Sequence, residues 1–261
     1  MSLPSSSIIS PQQKTQFENQ GYFLLERVLT ESQLENLRTE SQRFVALMDA
    51  EMDAQNVTQL GITHKNNRYF IGNRFSESIK LRQFLFSDLM ADICRATLGE
   101  NAVLFNEQFV LKAGEKGMAF GWHQDSGYIG YPHRPYLSCW CALDDMTIEN
   151  GTVSLLSYEE AGTREFVLHD REENTSDMIG YKGENPGTPA IIPAGSIAIF
   201  SSTVFHRSGI NTTENWRRVY LAQYSSEPIL KHDGTGFWGH AIPFLENGEI
   251  VYDESTHDWA R

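Results

Sequence analysis

The pattern of apolar and polar positions changes after the first hundred residues. Thr30-Glu31-Ser32-Gln33 has the form of a capping box, and Leu34, Leu37, Phe44 and Leu47 follow at near-helical spacing, which predicts a helix. A second helical stretch is predicted over 76–98, marked by Ile79, Leu85, Leu89, Ile93 and Leu98 and closed by Gly99. Between them, 51–74 is polar and irregular, with His64, Lys65, Asn66, Asn67 and Arg68 bunched together. This segment reads as a solvated loop or as a lid over a site. The first ten or so residues are rich in Ser and Pro and are expected to fray.

From residue 102 onward the runs are short and rich in β-branched and aromatic residues. Strands are predicted in 102–112, 137–143, 196–200 and 216–225, separated by turn signals such as Glu149-Asn150-Gly151 and Pro193-Ala194-Gly195. Helices first and strands later predict a mainly β chain with N-terminal helices, an α+β organisation on an all-β core. The expected layout is one domain over 1–261. It comprises a helical region at about 11–99, a β core at about 102–226 and a C-terminal extension at 227–261. The stretch 159–188 is dense in Asp and Glu and reads as a long surface insertion, a candidate mobile lid.

Composition narrows the class. The 21 Lys and Arg against 34 Asp and Glu give a net charge of −13, which argues against nucleic acid as a partner. No apolar run approaches the ~18 residues of a membrane span, and the N-terminus lacks the form of a signal peptide. The three cysteines, Cys94, Cys139 and Cys141, fit a reducing compartment, so the expected location is cytoplasmic. Cys139 and Cys141 lie two apart in an apolar run, which puts both thiols on one strand face as small core residues. The sequence sets no oligomeric state.

One group of residues suggests metal chemistry. In a strand, His123 and Asp125 project to the same side and can hold one ion. With eight His and 34 acidic residues in the chain, a lone H-x-D is at background. His206, after the apolar run 196–200, would complete a set of two imidazoles and one carboxylate. Such a facial triad leaves three positions open and suits non-haem Fe(II), whereas zinc prefers a closed tetrahedral set or a single water site. Otherwise His206 reads as a hydrogen-bonded core histidine. Arg217 opens the run WRRVYLAQYS; at the start of a buried strand it needs an anionic partner, and its planar fork suits a carboxylate. Ser208 can add a hydroxyl to the same carboxylate. Arg218 points to the opposite side.

The segments WHQDSGY (122–128), SCWCALDD (138–145), ENG (149–151) and FHRSGINTTENWRRVYLAQYS (205–225) resemble the phytanoyl-CoA dioxygenase family. The resemblance implies a double-stranded β-helix, or jelly roll, and a reaction that consumes 2-oxoglutarate and O2. It implies that His123, Asp125 and His206 ligate Fe(II), that Ser208 and Arg217 bind 2-oxoglutarate, and that Trp140 lines the cosubstrate pocket. Halogenating relatives carry a small residue in place of the carboxylate, so Asp125 implies oxygenation. The expected function is hydroxylation of a small organic molecule, such as a secondary metabolite, lipid or amino-acid derivative, with release of succinate and CO2.

Desaturation, epoxidation and rearrangement use the same cofactors and stay open. A non-catalytic jelly-roll binding module is a further alternative. A zinc hydrolase is disfavoured, because no general base stands at a suitable spacing. The acidic charge disfavours a coenzyme A ester. Phe105, Phe120, Trp122, Tyr128, Tyr131 and Phe205 flank the motifs and read equally as pocket wall or barrel core. His64, Lys65, Arg68, His133 and Arg134 read as solvated loop residues with a possible reach to substrate.

Overall fold

The computed structural model describes residues 8–115, 118–171, 177–257 and 259. The chain opens with α1 (Pro11–Gln20), β1 (Tyr22–Leu25) and α2 (Glu31–Ala54). The Thr30 capping box is formed: Gln33 N–H donates to Thr30 Oγ1 at 3.2 Å, and the Gln33 side chain accepts from Thr30 N–H at 2.9 Å. A cap of this kind stabilises a helix by about 1 kcal/mol. Leu34, Leu37 and Phe44 are buried as the spacing predicts, but Leu47 is 45% exposed. It falls beyond the stripe that meets the sheet.

The segment 51–74 contains more order than its polarity suggests. It carries β2 (Arg68–Gly72), preceded by a hairpin of two-residue strands, Gln59–Leu60 and Thr63–His64. The predicted helix over 76–98 is broken. A 3-10 turn (Phe75–Glu77) leads into α3 (Ile79–Leu85), and α4 (Asp88–Thr97) restarts behind an N-cap at Ser87. Ser78 and Ser87 each accept from a backbone N–H three residues on, which lets the chain turn twice within an apolar pattern that reads as continuous. Ile79, at the first turn, is exposed.

The β region follows as β3 (Ala102–Lys112), β4 (Phe120–His123), β5 (Leu137–Ala142), β6 (Val153–Leu155), β7 (Thr188–Pro189), β8 (Ile197–Ser201), β9 (His206–Ser208), β10 (Arg217–Ser225) and β11 (Ile242–Glu246). The larger sheet runs β1-β8-β5-β10-β3-β2, continues into the short hairpin, and is antiparallel throughout. β11, from the C-terminal extension, also pairs with β3. The smaller sheet runs β7-β6-β9-β4. Two antiparallel sheets facing each other are the jelly-roll arrangement.

Strand periodicity separates two interiors. Phe109 and Leu111 of β3, Cys139 and Cys141 of β5, and Tyr220 and Tyr224 of β10 face the helices in one core. Trp140, Ala142, Ala198, Phe200, Val219 and Leu221 face the other way, into the space between the sheets. The two cysteines share a face, are fully buried and carry free thiols. The start of the 159–188 insertion is attached rather than loose at 165–169. Gln124 donates to the carbonyls of Glu165 and Thr203 and accepts from Val167 N–H, and the His169 ring accepts from Gln124 N–H at 2.8 Å. Among the described residues, no helix is long and apolar enough to cross a membrane.

Candidate active site

β4 and β9 are neighbours in the smaller sheet, and His206 lies opposite His123. Asp125 starts a 3-10 turn directly after β4. The three side chains converge, with one ligand atom from each lying within 4.8 Å of the others. His206 Nε2 stands 3.5 Å from Asp125 Oδ1, and His123 Nε2 stands 3.9 Å from the same oxygen. Each imidazole is held by its other nitrogen: His123 Nδ1 by Gly121 O at 2.8 Å, and His206 Nδ1 by Val204 O at 3.1 Å. A proton on Nδ1 leaves the Nε2 lone pair for a metal.

The electrostatics agree. Burial, with His206 beside it, pulls His123 down to about 3, so it is a neutral ligand at neutral pH. Burial acts to raise Asp125, but the two histidines and the Ser138 hydroxyl outweigh it and bring the group to about 2. The carboxylate is thus an anion. Its Oδ2 accepts from Ser138 Oγ at 2.6 Å and from Gln223 Nε2 at 2.9 Å, which leaves Oδ1 facing the histidines. Gln223 is held in turn by Asn106 Nδ2 at 2.9 Å. Two nitrogens and one carboxylate oxygen on one side of a shared point fit a six-coordinate ion with open positions.

A narrow cleft extends from the triad between the sheets, lined among others by Trp140, Arg217, Ser208 and Lys112. Arg217 is 1% exposed, and its Nε and Nη1 have no hydrogen-bond partner among the described residues. Nη2 donates to Gly151 O at 3.3 Å. Gly151 has φ of +72°, and a Cβ there would meet Gly209 O at 2.3 Å, so the ENG turn requires glycine. Burial lowers Arg217 to about 10, where it is still a cation at neutral pH. The Trp140 ring lies 5.6 Å from its guanidinium carbon.

Lys112 is the residue that motif reasoning missed. It is 1% exposed and lies directly opposite Arg217 across the β3–β10 ladder. Its Nζ donates to Ser208 Oγ at 2.8 Å and to Gly209 O at 2.6 Å. Burial, with Arg217 and Arg68 nearby, holds its pKa well below the usual lysine value. A signal existed: Asn106, Gln108 and Lys112 share parity along β3, so these three polar residues face the site, while Glu107 faces the helices. Two buried basic groups beside unfilled N–H donors have the chemistry to seat a carboxylate. Arg218 points outward to Asp144 at 2.6 Å.

Other candidates fall elsewhere. Trp122 and Phe205 pack with Leu156 under the insertion. Tyr131 packs against the Phe105 and Ile129 cluster. Lys65 pairs with Asp53 and Arg68 with Asp177. The His133 Nε2 and Ser126 Oγ lie 3.1 Å apart, beside Tyr136. Phe105, Phe120 and Tyr128 line a second cavity against the triad. A cavity of about 570 Å³, larger than the two at the triad, lies outside the barrel between α2 and the start of β10 and contains no triad residue.

Jelly roll, facial triad and cationic cleft together define a class, the non-haem Fe(II)- and 2-oxoglutarate-dependent oxygenases. Residues 17–219 match the model of the phytanoyl-CoA dioxygenase family, and the chain belongs to that family. A phytanoyl-CoA dioxygenase domain-containing protein 1 homolog from Dictyostelium discoideum is 20% identical over 83% of this chain and 91% of its own length. A methylphosphonate hydroxylase from Gimesia maris is 25% identical over 85% and 82%. The structure of EctD from S. alaskensis with 2-oxoglutarate and 5-hydroxyectoine superposes with a TM-score of 0.68 at 20% identity, covering 95% of this chain and 90% of that one.

Proposed function

We propose that this oxygenase hydroxylates a small organic molecule, with Fe(II) held by His123, Asp125 and His206 and 2-oxoglutarate held by Arg217, Ser208, Lys112 and Trp140. The observation that carries the assignment is the pair of unfilled Arg217 N–H groups in a cleft that opens on the triad. Bound iron supplies the oxidising power, consuming O2 and 2-oxoglutarate and releasing succinate and CO2.

The chain's own residues do the rest. Arg217 takes the distal carboxylate of the cosubstrate. Lys112 donates to the Ser208 oxygen, which leaves the Ser208 proton free to point at that carboxylate. Trp140 lays its ring beside the guanidinium, 5.6 Å from its central carbon. Ser138 and Gln223 hold Asp125 so that one oxygen faces the metal position. The buried site excludes water, which strengthens each of these interactions. The buried free cysteines and the −13 charge support a cytoplasmic protein without nucleic-acid or membrane partners. One domain over 1–261 is part of the same proposal.

The test is succinate formation from 2-oxoglutarate by protein loaded with Fe(II). Activity should vanish in His206→Ala and in Arg217→Ala, and turnover that survives both changes would refute the assignment. Product mass separates the outcomes: hydroxylation adds one oxygen, whereas desaturation removes two hydrogens.

A further inference from the structure

We propose that the substrate is a compact, uncharged molecule bearing amide, carbonyl or hydroxyl groups, and that Gln108 selects for those groups. This rests on the oxygenase reading above and concerns the second cavity beside the triad. That cavity has a volume of about 320 Å³ and shares Phe70, Gln108, Phe120, His123 and Asp125 with the cosubstrate cleft. Its size is at the lower end of the ~300–1,000 Å³ of small-molecule pockets, which leaves no room inside for a nucleotide-bearing thioester.

Phe70, Phe105, Phe120, Tyr128, Tyr136 and Trp238 form its walls. Besides the Tyr128 and Tyr136 hydroxyls and the Trp238 N–H, the uncharged polar side chains on the cavity are amides. Asn106 and Gln223 are already bonded to each other, and Gln223 also holds Asp125. Gln108 differs. It lies on the same face of β3, paired in register with Gly72 and Leu221, neither of which offers a polar side chain. No hydrogen bond joins its side-chain amide to another described residue, so two donors and one acceptor stay available where the cavity meets the cosubstrate cleft.

Charge decides the class. Apart from the triad, no described residue lining this cavity is ionisable near neutral pH. The nearby basic groups are committed elsewhere. Arg68 lies behind Phe70 and Phe120, 5.3 Å from each ring centre, and is paired with Asp177 at 3.4 Å. Lys112 and Arg217 face the cosubstrate cleft. A substrate carboxylate or phosphonate would be buried here without a counter-charge, which is strongly unfavourable. A neutral ring with an amide or hydroxyl meets aromatic walls and a matched hydrogen-bonding partner. In this respect the cavity is not suited to the phosphonate of the Gimesia maris relative.

The test is isothermal titration of the full chain loaded with Ni(II) and 2-oxoglutarate. The probes are oxindole and naphthol, set against naphthoate and phenylphosphonate. The neutral pair should bind at least about tenfold tighter than the anions, and Gln108→Leu should weaken oxindole about tenfold, the effect of losing one buried hydrogen bond. Ni(II) should still titrate into the variant, which shows that the metal site is intact. Anions binding as tightly as the neutral probes, no binding by either neutral probe, or unchanged oxindole affinity in Gln108→Leu would each overturn the proposal. Failure of wild-type protein to bind Ni(II) and 2-oxoglutarate would instead overturn the oxygenase reading, so the two failures are distinct.

Discussion

Lys112 and Arg217 face each other across neighbouring strands, both buried, with no ion pair to an acidic residue among the described residues. Arg68 continues the row, opposite Lys112 on β2. Like charges in a dry interior repel, so the arrangement is favourable only with an anion in place. On the proposed reading, the fold gives up stability in the free protein to gain affinity for a dicarboxylate.

Removal of either basic residue should weaken 2-oxoglutarate binding. Arg217→Ala loses a charge-assisted pair and should lower affinity by about 2–5 kcal/mol. Lys112→Met should lose less, about 1–3 kcal/mol, because Lys112 also acts through Ser208. Arg218→Ala should leave affinity unchanged, since that side chain is engaged by Asp144. Titration of 2-oxoglutarate into the metal-loaded variants reads all three, and the reverse order of the two arginines would show that the wrong one was assigned.

Gln223→Leu should weaken metal binding about 10–100-fold, the usual effect of removing a group that orients a ligand. Ser138→Ala should act in the same direction through the same Asp125 oxygen. The measurement is competition with a metal indicator. Unchanged affinity in both variants would show that Asp125 needs no such support.

Asp125→Gly should bind iron more weakly and lose most succinate formation, because one anionic ligand is gone. Wild-type protein should incorporate no chloride into its product, even at high chloride. Mass spectrometry of the product decides the second point, and a chlorinated product would contradict the role given to Asp125.

Glu107 predicts a pH effect away from the site. It is fully buried on the helix side of β3, accepts from Phe75 N–H at 3.0 Å and from Arg74 N–H, and burial pushes its pKa up to about 7. A carboxyl raised in the folded state binds its proton more tightly there than in the unfolded chain. Its contribution to stability is therefore full below about pH 4.5, declines up to about pH 7, and is lost above it. The span is on the order of 3 kcal/mol. Glu107→Gln should flatten this decline and raise the melting temperature at pH 8; a variant that melts lower at pH 8 would contradict the assignment.

Much of this was legible in the residues, for physical reasons. The triad and Arg217 are readable because their spacing and chemical type are restrictive. The alternation in WRRVYLAQYS separates Arg217 from Arg218, and the structure places them on opposite faces of β10. Strand β2 was hidden because Arg68 opens it and polar residues precede it, so pairing with β3 rather than local pattern defines it. The break at Ser87 was hidden because apolar positions continue across it on both sides. Lys112 was hidden because a lysine at a strand end normally reads as solvated. Its burial follows from β9, whose Ser208 and neighbouring Gly209 accept its three-donor head.

The pairing of His206 with His123 gives the metal a mechanical part in the molecule. The smaller sheet is made of strands two to four residues long, too short for strong independent pairing. An ion held by one imidazole from each of β4 and β9 would act as a rivet through that sheet, joining segments far apart in sequence. By mass action, each tenfold excess of metal over its dissociation constant adds about 1.4 kcal/mol to the stability of whatever unfolds with the site. A metal at this site should therefore stabilise the pairing of β4 with β9, and a chelator should loosen the smaller sheet before the helix-backed one.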